Sequence, residues 1–598
     1  MSAENISERI SIALNFQQNN NLEKAKKLYE SILLIKPHHS FALALLGTIF
    51  IQESDFKKAI LYLKKATLID PKNAFAFCNL GVAEFKLKRY ESSLKKLEKS
   101  ISLQVNYAEA YYYYGIVLQE LGRYVEAINR FECCNKYNPL FIDAYIRQGD
   151  IFCKLNQNLS AIDVYKKASN IEPKLITPLM KIGKSFYNLN DFQNARKNFT
   201  KILEIDSQNK LALYNIALTY QKTNDFFNAS KFYNRVLNLD INDIDTLNNQ
   251  GLILQHQGNF RDAEKIYSNI LLIDKENTFA SLNIGIINLY QKKFQDGWHL
   301  YENRWQASEK AKYLKTSVPE LTDFSVVNKT IFIWAEQGIG DQILFSSLLY
   351  DAFRTQNHFY VALEPRLINL FKRSFSHLDH VTFISIHERL AESKYDFHLP
   401  IGSLGKFFRN SIEDFNSHPK AYLKTDEIQV STLRNKIKKN PQKICGISWM
   451  SQNAEIGKEK SLSLTELLPI LSIPNITFIN LQYGETKKEI NSILNQHGIE
   501  IYTIDEIDNF NDLDGLASLI NACDYIVTSS NVTAHIAGAL NKETYLLIPY
   551  AHGRIWYWGE SENKSLWYPS IKIYRCTENG LWSHPIEIIT SKFKDIKT

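Results

Sequence analysis

Four short stretches in the C-terminal half of the sequence carry residue types from which a reaction site can be built. The first is Glu336-Gln337-Gly338-Ile339-Gly340-Asp341, where two glycines interrupt an apolar run of strand type and Phe345, Leu348, Leu349 and Phe353 then recur at helical spacing. Backbone N–H groups at such a turn can approach a ligand at a helix start, where the aligned peptide dipoles favour anions. It is neither the full Gly-x-Gly-x-x-Gly dinucleotide fingerprint nor a Gly-x-x-x-x-Gly-Lys-[Ser/Thr] phosphate loop. The second stretch is Trp449-Met450-Ser451-Gln452-Asn453, with Lys458, Lys460 and Ser461 after it, and the third is Leu481-Gln482-Tyr483-Gly484. The fourth, Ser529-Ser530-Asn531-Val532-Thr533-Ala534-His535, enters the small-residue helix Ile536-Ala537-Gly538-Ala539-Leu540. Serine, threonine and N–H groups at a helix start make a cradle for a diphosphate, with a lysine supplying charge.

Each stretch also has a plainer reading. Ser529 to Thr533 can be a helix cap, Lys458 and Lys460 a solvated charge run, and Trp556, Trp558 and Trp567 core instead of a platform for a ring. No His/Cys cluster has metal-ligand spacing, and Asp512-Leu513-Asp514 reads as a helix start, so neither a metal nor a tightly held cofactor is expected.

These stretches follow apolar strands, expected at Thr330–Ala335, His358–Leu363, Val381–Ile384, Ile444–Trp449, Thr477–Leu481, Tyr525–Thr528, Thr544–Ile548 and Ile571–Tyr574, with helical periodicity between many of them. Such alternation predicts parallel sheets with crossover helices, whose ligands sit beyond the carboxyl ends of the strands. A break near Ala421–Glu427, followed by a helix over Ile428–Lys439, divides the half into two Rossmann-like lobes, 307–425 and 426–598, with a cleft between them. A polar linker over Ala307–Lys329 precedes the first.

Residues 6–306 are a repeat array. A 34-residue step from position 13 gives Ala13, Gly47, Gly81, Gly115, Gly149, Gly183, Ala217, Gly251 and Gly285. A second column, twelve residues on, is Ala25, Ala59, Ser93, Ala127, Ala161, Ala195, Ala229, Ala263 and Gly297. A third is Tyr29, Leu63, Leu97, Phe131, Tyr165, Phe199, Tyr233, Tyr267 and Tyr301, and Pro37, Pro71, Pro139 and Pro173 close four repeats. Small residues let two short antiparallel helices approach, and the large third-column residue is expected to fill the gap towards the next repeat. This is the tetratricopeptide pattern, about nine repeats of it, whose groove suits an extended peptide or another protein. A role confined to spacing or dimerisation stays open. Tyr111-Tyr112-Tyr113-Tyr114 reads as packing, and Gly297-Trp298-His299-Leu300-Tyr301 to Trp305 as a cap that docks the next domain, with His299 a packed junction residue.

Composition sets the outer bounds. A chain of 598 residues with 45% hydrophobic and 22% charged residues is globular and of several packed units. A net charge of +6 spread over this length, without a basic block longer than segments such as Lys436-Ile437-Lys438-Lys439, does not point to nucleic acid. Seven cysteines without a Cys-x-x-Cys pair read as thiols of a reducing compartment. Neither a signal-peptide core near the start nor an apolar run of membrane-spanning length occurs, so a cytoplasmic location is expected.

Glu336 to Asp341, Ser530 to Leu540 and Ser565-Leu566-Trp567-Tyr568-Pro569-Ser570, together with the repeats, resemble a known class: bacterial tetratricopeptide-repeat proteins with a C-terminal glycosyltransferase-like domain of GT-B type. The lobes look like those of ADP-heptose heptosyltransferases, and the layout is similar to that of O-linked N-acetylglucosamine transferase. The resemblance implies a metal-independent transfer of sugar from a nucleotide-diphosphate donor to a protein acceptor presented by the repeats. It implies Asp341 as general base, Lys460 or Lys458 on the donor phosphate, and Ser530, Asn531, Thr533 and His535 around the diphosphate, with Gly338 and Gly340 shaping the first loop. Here Ser530-Asn531-Val532 stands where the family carries Asp-Thr-Gly. The competing expectation is a non-catalytic scaffold whose lobes have lost their chemistry.

Overall fold

The computed structural model describes residues 3–307, 313–416, 419–437, 443–453, 456–550, 553–577 and 581–595. The chain divides into two compact units, Met1–Ile241 and Asn242–Thr598, a boundary two repeats earlier than the sequence division at 306/307. The first unit holds seven helix pairs, from Ala3–Gln18 to Phe226–Leu239. The second opens with two more pairs, Ile244–His256 with Phe260–Ile273 and Thr278–Tyr290 with Phe294–Tyr301.

Within the pairs the packing columns meet. In six of the described repeats the large third-column residue lies on the glycine of its own repeat, sixteen positions earlier, and Phe199 and Tyr165 also share buried clusters with Ile216 and Ile182 of the repeat that follows, as expected. A Cβ on Gly47 would stand 2.6 Å from Leu63, one on Gly115 2.7 Å from Phe131, and one on Gly183 2.4 Å from Phe199. The glycine is therefore required by close approach of the second helix. The second column is buried throughout the described repeats, from Ala25 to Gly297. A fourth column went unread: Asn20, Ser54, Lys88, Gly122, Asn156, Asn190, Asn224, Gly258 and Lys292, again 34 apart, all have φ between 56° and 77°. These residues turn the chain from the first helix of each pair into the second, and asparagine and glycine dominate because they enter the left-handed region most cheaply. Tyr111 stacks on Tyr137 at 5.5 Å, and Tyr112 meets Phe141 at 4.7 Å, so the tyrosine run is packing, as expected.

The α/β part of the second unit contains two all-parallel sheets. The first is built from β1 (Thr330–Trp334), β2 (His358–Leu363), β3 (Val381–Ser385) and β4 (Phe397–Pro400) in the order β3-β2-β1-β4. The second contains β5 (Lys443–Ser448), β6 (Ile476–Asn480), β7 (Ile501–Tyr502), β8 (Tyr525–Ser529), β9 (Thr544–Ile548) and β10 (Ile571–Arg575) in the order β10-β9-β8-β5-β6-β7. The expected strands all form. β4 and β7 were not foreseen, the one because Phe-His-Leu-Pro lacks a strand-like run, the other because it is two residues long. The helix expected over Ile428–Lys439 runs Glu427–Ile437, and Lys438 and Lys439 lie outside the described residues, as do 308–312 of the linker. Ile331 pairs with both Phe359 and Phe397, which puts β1 inside its sheet, and β5 lies between β6 and β8 in the second. The loops after β1, β5 and β8 thus leave the carboxyl ends of interior strands, the edge at which open parallel sheets hold ligands.

Candidate functional site

β1 ends at Trp334 and the chain turns through Ala335–Gly338 into the helix Ile339–Ser346. Gly338 is the N-cap with φ of −61°, so neither glycine here is needed for a left-handed turn. Gly340 is needed for close approach: a Cβ on it would stand 2.9 Å from Cδ2 of His535, which comes from the helix Val532–Ala539 after β8. The loops after β1 and β8, 195 residues apart in sequence, therefore touch.

Asp341 sits in the first turn of its helix and accepts a hydrogen bond from the N–H of Gly338, the reach-back of a residue that satisfies its own helix start. It also accepts one from the hydroxyl of Tyr557. Burial pushes its carboxyl up to about 6, against the pull of the Lys460 charge and these hydrogen bonds. His535 is enclosed, with Nδ1 3.1 Å from the Tyr568 hydroxyl and Nε2 3.4 Å from that of Tyr557. Burial, then Lys460, bring its imidazole down to about 3, so it is neutral. Both ring nitrogens are thus occupied by tyrosine hydroxyls. His535 is therefore a hydrogen-bonding group here and not a cationic one.

Of the two candidate lysines, Lys458 is exposed and Lys460 is 5% exposed. Among the described residues no carboxylate lies within ion-pair distance of the Lys460 ammonium; burial lowers its pKa and the more distant Asp341 raises it. Ser530, Asn531 and Thr533 gather at the start of the helix Val532–Ala539. Asn531 is its N-cap, its Oδ1 accepting from Thr533 N at 3.0 Å while its amide donates to Ser448 Oγ at 2.7 Å and to the Met450 carbonyl at 3.2 Å. It thus ties the loop after β8 to the end of β5. Ser530 Oγ accepts from Trp558 Nε1 at 2.9 Å. Thr533 Oγ1 is buried and has no hydrogen-bond partner among the described residues. Gln482, from the third stretch, accepts the N–H groups of Trp449 and Met450, a structural role.

The sequence reading missed the clamp behind the first loop. Arg304, just past the last repeat and buried, donates to Glu302 at 2.6 Å, to Ser403 Oγ at 2.8 Å and to Glu336 at 3.2 Å. Glu336 also accepts the N–H of Gly402 at 3.2 Å, and Gln337 donates to the Tyr301 hydroxyl at 2.8 Å. Burial pushes the Glu336 carboxyl up to about 7, although Arg304 works against it. An acid directly after an apolar strand run was the available signal. Trp298 docks as expected, its indole donating to the Arg409 carbonyl at 2.7 Å, whereas His299 is exposed and not packed. Trp556, Trp558 and Trp567 are core. Asp512 caps its helix through Gly515 N, and Asp514 pairs with Arg373. No group of three or more metal-ligating side chains occurs among the described residues, and no described helix is long and apolar enough to cross a membrane.

Comparison with known proteins places the repeats. Residues 42–73, 177–209 and 211–242 match the tetratricopeptide repeat family. Protein FlbA of Caulobacter vibrioides is 26% identical over 287 residues, which are 45% of this chain and 46% of that protein, so the chain spans about half of the relative it matches. Among solved structures, MamA is 28% identical over 27% of this chain and 95% of its own, with a TM-score of 0.25. The C-terminal part of a tetratricopeptide-repeat protein from Cytophaga hutchinsonii is 18% identical over 40% of this chain and 99% of its own, with a TM-score of 0.37. The helical part of the chain is an array of tetratricopeptide repeats, an architecture of protein interaction, followed by an α/β part with two parallel sheets.

Proposed function

We propose that the α/β part is a metal-independent glycosyltransferase using a nucleotide-diphosphate sugar, and that the repeats present a protein or peptide acceptor to it. The observation that carries this reading is Lys460: a buried ammonium without an ion-pair partner among the described residues, in a site that also holds Asp341, His535 and the unpartnered hydroxyl of Thr533. A buried cation of this kind is costly until an anion joins it, and the start of the helix Val532–Ala539 adds N–H groups for the same charge. Asp341, with a carboxyl near 6, suits removal of a proton from an acceptor hydroxyl close to neutrality. Lys460 and the helix start would stabilise the departing diphosphate.

The competing reading, a protein-interaction scaffold with degenerate lobes, draws on the packing of the same residues: Ser530 is taken by Trp558, Asp341 by Tyr557, and His535 by two tyrosines. Transfer therefore requires the Tyr557–Asp341 contact to open. Calorimetry with nucleoside diphosphates and turnover assays on nucleotide sugars separate the two. Binding weakened by about 1–3 kcal/mol in Lys460→Ala, the range for a lost hydrogen bond to a charged group, supports the transferase. A folded Lys460→Ala, His535→Ala variant with unaltered affinity dismisses the site.

A further inference from the structure

A groove lies at the β10 edge of the second sheet, with a volume of about 610 Å³. Three elements wall it. The segment Glu560–Lys564 runs antiparallel to β10, with Lys564 bridged to Lys572. β10 contributes Lys572 to Arg575, and the helix Ser583–Lys594 contributes His584, Ile588 and Lys592, a row at four-residue spacing on one of its faces. Four permanent cations, Lys564, Lys572, Arg575 and Lys592, face a single lining carboxylate, Glu560.

The counter-charges do not restore the balance. Lys572 is answered by Glu543 from outside the groove. Arg575 donates to the carbonyls of Glu562, Trp558 and Gly559, and no carboxylate lies within ion-pair distance of it among the described residues. Burial and the nearby Arg554 bring its guanidinium down to about 10, as expected of a cation short of negative charge. Lys564 and Lys592 are exposed and likewise have no ion-pair partner among the described residues. In the wall, the Tyr574 hydroxyl and Arg575 Nε are buried without hydrogen-bond partners. Like charges gathered from three elements repel, and a multivalent anion is what relieves that repulsion.

We infer that this groove binds a small molecule bearing two or more phosphoryl groups, at a site separate from the one around Lys460. The volume is that of a small-molecule site and exceeds the need of one phosphate. Ile588 and Pro585 offer an apolar wall for the remainder of the ligand.

The test is calorimetry of the full chain with inorganic pyrophosphate, comparing Lys564→Ala, Lys592→Ala with Lys460→Ala. Both replaced groove lysines are exposed, so folding is retained, and circular dichroism checks it. The expected result is a salt-sensitive, saturable site that is weakened at least tenfold in the double variant and persists in Lys460→Ala, in which only a separate Lys460-dependent diphosphate site weakens. Unaltered pyrophosphate binding in the double variant overturns the inference, as does loss of all binding in Lys460→Ala. Vesicles of phosphatidylglycerol and of phosphatidylcholine distinguish a lipid headgroup as the phosphoryl source. Sedimentation with the former through these lysines, without pyrophosphate binding, makes the groove a membrane contact and overturns the small-molecule assignment.

Discussion

Gly340 and His535 stand so close that a methyl group on the glycine would lie 2.9 Å from the imidazole Cδ2 and 3.1 Å from Nε2. This contact joins the loop after β1 to the helix after β8, and the imidazole cannot turn aside without loosening its partners Tyr568 and Tyr557. Gly340→Ala should therefore cost stability through His535, even though alanine favours a helix by about 1 kcal/mol over glycine. A double-mutant cycle by chemical denaturation checks it: in a His535→Ala background the glycine replacement should become neutral or stabilising, with a coupling of about 1–3 kcal/mol. Additive effects would mean that the two helices do not bear on each other.

Asp341→Asn separates two roles that meet in one side chain. Asparagine keeps the acceptor for Gly338 N–H and Tyr557 but cannot take a proton, so turnover of the proposed transfer should fall by roughly 10²–10⁴-fold at near-parental nucleotide affinity. Stability should move the other way. The folded carboxyl holds its proton up to about 6 and the unfolded one only to 3.8, so the folded state binds more protons between these values and stability falls as pH rises through that window. Above it the asparagine variant should be more stable by about 1–2 kcal/mol, allowing for partial exposure of the carboxylate, and should lack the slope. A parental turnover rate would make Asp341 a cap alone.

The clamp at Arg304 bears on where the second unit begins. Arg304 and Trp298 belong to the end of the repeats by sequence register, yet their partners are Glu336, Ser403 and the Arg409 carbonyl of the first α/β segment. A fragment starting at 242 should fold cooperatively, whereas one starting at 307, the sequence boundary, should aggregate or melt well below it. In the full chain Arg304→Met leaves Glu336 and Glu302 without their shared cation, which should cost about 3–5 kcal/mol. Adding Glu336→Gln should return part of it, as thermal denaturation can show.

How much could be read beforehand follows from what each feature is made of. The repeats and strands are periodic, so Gly115 with Phe131, or Ile331 to Trp334, announce themselves in one dimension. Asp341, Lys460 and His535 were legible as residues that follow strands, because parallel sheets deliver such loops to one edge. Their partners were not: Tyr557, Tyr568 and Arg304 are brought in by tertiary packing from segments without periodicity. The division between Lys458 and Lys460 likewise depends on a turn that buries one and not the other. The third repeat column was legible as a run of large residues, but a spacing of sixteen does not by itself reveal the contact with the glycine of the same repeat.

That column supplies the last prediction. A Cβ on Gly149 would lie 2.3 Å from Cε1 of Tyr165, the tightest such approach in the array, and yet Ala13 and Ala217 occupy the equivalent place opposite Tyr29 and Tyr233. The phenol is tied differently at Gly149 from the two alanine repeats, although the anchor is not the whole account, since Tyr267 donates to Gln255 four residues after Gly251 and a Cβ there would still stand 2.6 Å from its ring. Tyr29 donates to Gln17 and Tyr233 to Gln221, each four residues after the alanine, whereas Tyr165 donates to Asp150, one residue after its glycine, and Cys153 fills the glutamine's place. Tethered to Asp150, the ring is drawn over Gly149. Gly149→Ala should then cost about 1–3 kcal/mol, the usual range for overpacking, and Cys153→Gln in the same chain should recover at least half by giving the hydroxyl the anchor used in the alanine repeats. Urea denaturation of the single and double variants reads both values, and equal destabilisation with and without the glutamine would sink the tether as the cause.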